Sequence, residues 1–222
     1  MSPRGAGGAG LQSATVTGTA PPPHSSHSTG SSLPARPSAD DLRQLLDAGG
    51  VAYAPGLEPD ELRAVEEAYG IAFAPEHRLM LEAALPLGPG WPDWRDGGPA
   101  ALRMQLGLPA EGVVFDVENA GFWPAAWGAR PAQRKHALKS ARWHLAKAPR
   151  LVPVHGNCYL PGIADAWGLP VLAVRRTEVE VRGASLADYL GRAFGAQDVA
   201  GLPVPAAAGA PEVEFWGGLV AD

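Results

Sequence analysis

A single cysteine, Cys158, stands in the 222 residues, which excludes an intrachain disulfide and a cysteine-rich zinc site. That count is compatible with a reducing compartment, and the expectation is a cytoplasmic protein. No apolar run reaches the roughly 20 residues that a membrane span needs, so no membrane partner is expected. The N-terminus has one early Arg4 followed by Gly, Ala, Ser and Thr, without the continuous apolar core of an export signal. No glycine-rich turn has the spacing of a dinucleotide or P-loop site. The nucleophile elbow of serine hydrolases is absent as well, and no internal repeat is visible. A net charge of −5 makes nucleic acid an unlikely partner for the chain as a whole.

What is present is 46% hydrophobic and 18% charged residues, ordinary for a globular protein, with 28 glycines and 23 prolines that favour many loops. Residues 1–38 are dominated by Gly, Ala, Ser, Thr and Pro. Little in them offsets the entropy of ordering, so a disordered tail is expected there. His24 and His27 lie in that tail and are assigned no metal role. Residues 39–222 are expected to form one domain.

The stretch Val113–Trp127 carries the strongest local signal. Val113, Val114, Phe115 and Val117 are apolar and mostly β-branched, which predicts a buried strand. Asp116 interrupts it and must find donors or sit at its end. Phe122, Trp123 and Trp127 follow on a loop. Three such rings either seal the end of a core or line a recognition surface, and sealing is the plainer alternative.

Around this stretch the chain alternates between helices and strands. Ser38 with Asp41 predicts a capped helix over 40–48, with Leu42, Leu45 and Leu46 on one face. Pro59 starts a second helix that ends before Gly70. Pro75 starts a third. A stiff loop, residues 86–95, brackets Pro92-Asp93 with Trp91 and Trp94. Asp93 and Arg95 there either share a local salt bridge or form a binding rim. An amphipathic piece spans 100–106. Residues 131–148 predict a helix, and the segment 130–150 holds seven Arg and Lys and no acid. A solvated face answering acids elsewhere is the plainer explanation, and a phosphate-rich or acidic partner is the other. Strands are expected at 151–154, 170–174 and 177–182, the last with one wet face as on an antiparallel edge. Ser185 and Asp188 cap a final helix with Leu186, Tyr189, Leu190 and Phe194 inward. A link at 201–211 leads to Phe215 and Trp216, whose rings are expected to fold back onto the domain. His155, Cys158 and Asp165 invite a nucleophile–base pairing, but nothing in their spacing fixes a geometry, and no catalysis is expected from them.

Several segments, in order, resemble the SUKH superfamily, the Smi/Knr family of fungal cell-wall-assembly regulators and bacterial toxin-immunity proteins. They are Leu57–Pro75 (a helix with Glu61-Leu62 and Val65-Glu66, then Gly70 and Ile71-Ala72-Phe73), Leu85–Gly90 with Pro92–Arg95, Gly112–Trp127, and Leu151–Val154. Tyr159–Pro161, Pro170-Val171 with Thr177-Glu178, Leu186–Leu190 and Glu214–Trp216 complete the series. The chain departs from the family pattern at Asn157-Cys158, where relatives tend to carry His-Arg. It departs again at Gly168-Leu169-Pro170 and at Arg175–Glu178.

The resemblance implies an α+β domain, with a central, mainly antiparallel sheet and helices packed around it. It also implies a protein-binding role without catalysis or cofactor, in which a bound toxin, commonly a nuclease or deaminase, is neutralised by occlusion. The residues matching family positions, Asp93, Trp94, Asp116, Trp123, Trp127 and Glu178, are the partner-binding candidates. The alternative is a small-ligand or phosphate sensor using the basic helix 131–148 and the His155 turn.

Overall fold

Local signals start and stop most of the helices. Ser38 accepts a hydrogen bond from the Asp41 amide while the Asp41 carboxylate takes the Ser38 amide, so α1 (Ala39–Ala48) opens on a capping box. α2 (Pro59–Tyr69) begins where the Glu61 carboxylate accepts the Glu58 amide at 2.8 Å, and it ends at Gly70 with φ 61°. α3 (Pro75–Ala83) starts on proline. A short antiparallel pair, β1 (Tyr53–Pro55) with β2 (Ala84–Pro86), joins the segments before α2 and after α3. The computed structural model describes residues 36–195 and 213–220, all within one compact unit. The tail expected at 1–38 lies outside them up to Ala35, as does the link at 201–211.

The sheet is a four-stranded antiparallel meander: β3 (Leu151–His155), β4 (Cys158–Pro161), β5 (Val171–Arg175) and β6 (Glu178–Gly183). Together with the helices this makes an α+β fold. β6 alternates as expected of a half-wet edge strand, with Val179 buried between exposed Glu178 and Glu180. Val220 pairs with Val179 beyond that edge. α6 (Leu186–Phe194) begins at Ser185, whose hydroxyl accepts the Asp188 amide. It packs its Leu186, Tyr189 and Leu190 side against α1 and β6.

The strand expected at 113–117 is not a strand. It is the last third of α4 (Pro99–Asn119), the longest helix, which absorbs the amphipathic piece at 100–106. Phe115 therefore belongs to no sheet, and Val171 sits in β5 without it. The spacing across the full segment explains the outcome. Leu102, Leu106, Pro109, Val113 and Val117 recur at steps of three and four, a helical stripe. Four of the five are buried and Leu106 is half-buried. A five-residue window sees only the β-branched cluster, and Pro109 and Gly112 read as breakers. α4 lies against β3 and β5 and beside α5 (Arg134–Leu145), which is shorter than the 131–148 expected. The C-terminal rings do fold back: Trp216 is buried and its indole N–H donates to the Pro149 carbonyl at 2.9 Å.

One buried carboxylate ties α3 to the far side of the molecule. Glu76 accepts the Gly168 amide and the Leu186 amide, both at 3.0 Å, joining the loop before β5 and the first turn of α6. A carboxylate at two helix N-termini is well placed for both dipoles. Its neighbour His77 is fully buried against the edge of Phe73, and Nδ1 makes no hydrogen bond among the described residues. Burial holds the imidazole pKa down to about 3, so His77 is neutral.

Two outcomes follow for stability. Glu76→Ala should cost about 3 kcal/mol in chemical denaturation, because it strands two amides, with Glu76→Gln intermediate. For His77, the unfolded ring titrates near its ordinary value of 6.5 and the folded ring near 3. Between those values the unfolded chain binds the extra proton. The His77 contribution is therefore whole above pH 6.5 and falls as pH drops, by about 2 kcal/mol at pH 5. His77→Phe should flatten the stability–pH curve in that window relative to the parent.

Candidate interaction surface

The six residues singled out by the sequence do not converge on one patch. Trp94 is buried, its ring edge-on to Phe73 at 5.2 Å, and belongs to the core. Asp93 is exposed, but its Oδ1 closes its own turn by accepting the amides of Arg95 at 3.2 Å and Asp96 at 2.8 Å. The expected Asp93–Arg95 salt bridge is not formed. Arg95 instead pairs with Glu61 at 2.8 Å and donates to the carbonyls of Pro55 and Gly56. The Arg95 guanidinium, helped by the Glu58 amide, holds the Glu61 carboxyl at about 2. This fork fixes the 91–98 loop to the start of α2.

Asp116 is 5% exposed. It accepts the Thr177 hydroxyl at 2.8 Å, the Thr177 amide at 3.3 Å and Arg176 Nη1 at 3.1 Å. All three donors come from the β5–β6 turn, so Asp116 clamps α4 to that hairpin and offers nothing to a partner. Trp127 stacks between His144 of α5, at 5.0 Å and 7°, and Phe215, at 5.5 Å and 11°. Trp123 meets Trp127 edge-on and donates its indole N–H to the Gly128 carbonyl at 2.8 Å. These rings seal the junction of the loop, α5 and the C-terminal segment, which is the plainer of the two roles the sequence allowed. Glu178 is exposed at the start of β6, in register with Arg175.

The catalytic grouping does not assemble either. His155 and Cys158 face each other across the β3–β4 turn, and the Tyr189 hydroxyl lies 3.4 Å from His155 Nδ1. Asp165 is exposed and makes no hydrogen bond to either. Burial pushes the Cys158 thiol and the Tyr189 phenol up, and it lowers His155 against the opposing hydrogen bond to the Pro89 carbonyl. The thiol is thus held in its unreactive neutral form. The rings of Trp91 and Phe194 cover His155. Among the described residues no cluster of three or more His, Cys, Asp or Glu is placed to hold a metal ion, and no helix is long and apolar enough to cross a membrane.

Three of the five exposed large apolar side chains among the described residues lie together on α4, and sequence reading missed them. Met104, Leu108 and Phe115 of α4 are 63%, 53% and 49% exposed. Spaced by four and seven residues, they run along one side of the helix. Beside Leu108 and Phe115 opens a groove of about 580 Å³ whose far wall is Asn157, Tyr159, Val174, Arg175 and Arg176. Arg176 lies over the Phe115 ring at 5.3 Å. A second groove of about 710 Å³, lined by Glu118 with Arg134, Lys135, Leu138, Lys139 and Arg142, runs beside α5. Gly156 and Asn157 of the His155 turn line the first groove and α5 lines the second, so neither of these two grooves is lined by both the basic helix and the His155 turn. The four-and-seven spacing was the available signal, and it stays invisible once 113–117 is taken as a strand.

No protein-family model, curated protein or solved structure matches this chain.

The Asp116 clamp is open to direct measurement. Asp116→Ala leaves three donors without an acceptor and should destabilise by about 2–3 kcal/mol in urea denaturation. Asp116→Asn, which keeps an acceptor for Thr177, should cost about half as much.

Proposed function

We propose that the chain is a non-enzymatic protein-binding domain of the SUKH type, an immunity protein that acts in the cytoplasm by binding and occluding a toxin of the nuclease or deaminase class. The observation that carries the protein-binding part is the Met104–Leu108–Phe115 stripe, three large apolar side chains left in water on a rigid helix. Contiguous exposed apolar surface of this kind marks interaction sites. Its surroundings fit an interface, with an apolar centre and a charged rim of Glu111, Arg175 and Arg176. The toxin-immunity part is supported by the ordered family motifs in the sequence. The absence of catalysis is supported by the sequestered Cys158 and the scattered His155 and Asp165.

The partner would seat an apolar ridge in the groove between α4 and the β5–β6 turn. Phe115 and Leu108 are the anchors, since interfaces draw most of their energy from a few such side chains. Co-expression with each protein encoded beside this one should identify a product that is toxic alone, is neutralised by this chain and co-purifies with it. Leu108→Glu with Phe115→Glu should weaken that complex by roughly a hundredfold or more, because two charges enter an apolar seat. Both positions are exposed, so the melting temperature should stay within the range of ordinary surface substitutions. Full protection and co-purification by the double variant would refute the assigned surface. Failure of every neighbouring product to bind at low salt would refute the immunity role.

A further inference from the structure

α4 has a second flank that the apolar stripe does not use. Where its Arg103 side borders the end of α2, the end of α5 and the start of β3, a cleft of about 470 Å³ opens. That volume lies within the range of small-molecule sites. Its wall is largely apolar, with Leu106, Val114, Leu145 and the buried Trp216 among its lining. Three guanidiniums stand around it, those of Arg103, Arg142 and Arg150, against one carboxylate, Glu111.

The fold orients these arginines while leaving most of their donors free. Arg150 donates Nη1 to the Tyr69 carbonyl at 2.6 Å. Arg103 lies over the Tyr69 ring at 5.5 Å. Arg142 meets Glu111 at 3.3 Å in a contact with both side chains more than half exposed. Each guanidinium has five N–H donors, and these contacts occupy few of them. Forked guanidinium donors match the oxygens of carboxylates and phosphates.

Gly107 makes the cleft more than a surface dimple. It lies inside α4, where glycine weakens a helix relative to alanine. Packing does not require it, because a Cβ built there meets no atom within 4 Å. Gly112 of the same helix is different: its Cβ would come to 2.8 Å from Arg176 Cα, so close approach of the hairpin explains that glycine. Gly107 is explained by neither contact nor helix propensity, and it lines the cleft.

We infer that this cleft binds a small organic anion, a carboxylate or phosphate carried on an apolar body. The acidic group sits among Arg103, Arg142 and Arg150, and the apolar body lies against Leu106 and Val114 over the space that Gly107 leaves open. This site shares only Glu111 with the rim of the protein-binding groove and stands or falls without it, because the test needs only the purified chain.

Titration of the full chain with 1-naphthyl phosphate and with 1-naphthoate, followed by calorimetry, separates the two acid types. At least one should bind saturably with one-to-one stoichiometry. The neutral 1-naphthol and inorganic phosphate should each bind at least about tenfold more weakly, since each lacks half of the recognised chemistry. Gly107→Leu fills the cleft from a position with room for a side chain. It should reduce affinity about tenfold or more while leaving the melting temperature unchanged or raised. Arg103→Gln, on the exposed rim, should reduce affinity for the anion and not for 1-naphthol; it decides the case if Gly107→Leu perturbs the fold. The proposal is overturned if neither anion saturates at millimolar concentration, if 1-naphthol binds as tightly as its phosphate, or if both variants bind like the parent.

Discussion

The hydrogen bonds of Asp116 fix what the rest of the molecule can present. A carboxylate that is 5% exposed loses most of its hydration, a cost of several kcal/mol unless replaced by protein donors. The β5–β6 turn supplies them: the amide and hydroxyl of Thr177 and the guanidinium of Arg176. To do so Arg176 takes φ 57°, a left-handed conformation that costs a non-glycine residue of order 1 kcal/mol. Gly112, one turn earlier in α4, allows the turn to come this close. With Asp116 pointing at the hairpin, α4 has no rotational freedom. Val113 and Val117 face the core, Phe115 and Leu108 face water, and Gly107 with Arg103 faces the cleft.

Charge is divided to match. The chain is net acidic, yet cations outnumber acids in the grooves beside α4: Arg175 and Arg176 with Glu111 on one side, and Arg134, Lys135, Lys139 and Arg142 with Glu118 on the other. The acids gather on α1 and α2, as Asp40, Asp41, Asp47, Asp60, Glu61 and Glu67. Such separation steers association and selects the sign of the partner more than it sets affinity. A partner seated on the α4 stripe therefore needs acidic groups around its apolar ridge. The basic cleft of a nuclease, built to hold phosphates, would be repelled from this face and attracted to the α1–α2 face. Under the proposed function, a nuclease toxin held on the α4 stripe would be gripped by a surface other than its phosphate-binding channel.

Elements with explicit boundary chemistry were legible in the sequence. The Ser38–Asp41 box, Pro59 with Gly70, Pro75 and the Ser185–Asp188 cap each placed a helix end to within a residue or two, because a cap is a local hydrogen bond that needs no tertiary partner. Three of the four strands of the meander, β3, β5 and β6, were legible because turns such as His155–Cys158 and Arg175–Glu178 bound their apolar runs, whereas the short β4 (Cys158–Pro161), which ends on a proline, reads locally as the start of a loop. The Val113–Val117 segment was not. Its valines favour strand locally, and only packing across α4 decides for helix, which is tertiary context overriding propensity. The surroundings of the candidate site residues were hidden for a related reason. Aromatic and acidic side chains in a loop look alike in sequence whether they close a core, as Trp94 does, or face water. Burial is a property of what packs over them.

That shift, from a tryptophan loop to a helix, changes the physics of recognition. Trp127 is held between His144 and Phe215, and Trp123 is tied to Gly128, so these rings are already satisfied and would lose contacts by turning outward. Met104, Leu108 and Phe115 have no stacked or edge-on ring partner to lose, and only Arg176 lies over the Phe115 face. Their backbone is fixed by a 21-residue helix clamped at Asp116, and only side-chain rotamers remain to be ordered on binding. The entropy cost of association is smallest for a surface of that kind. A loop of sealed indoles secures the C-terminal segment and α5 against the domain, and it is this fastening that leaves a long, rigid helix free to carry the apolar stripe on one side and the arginine-rimmed cleft on the other.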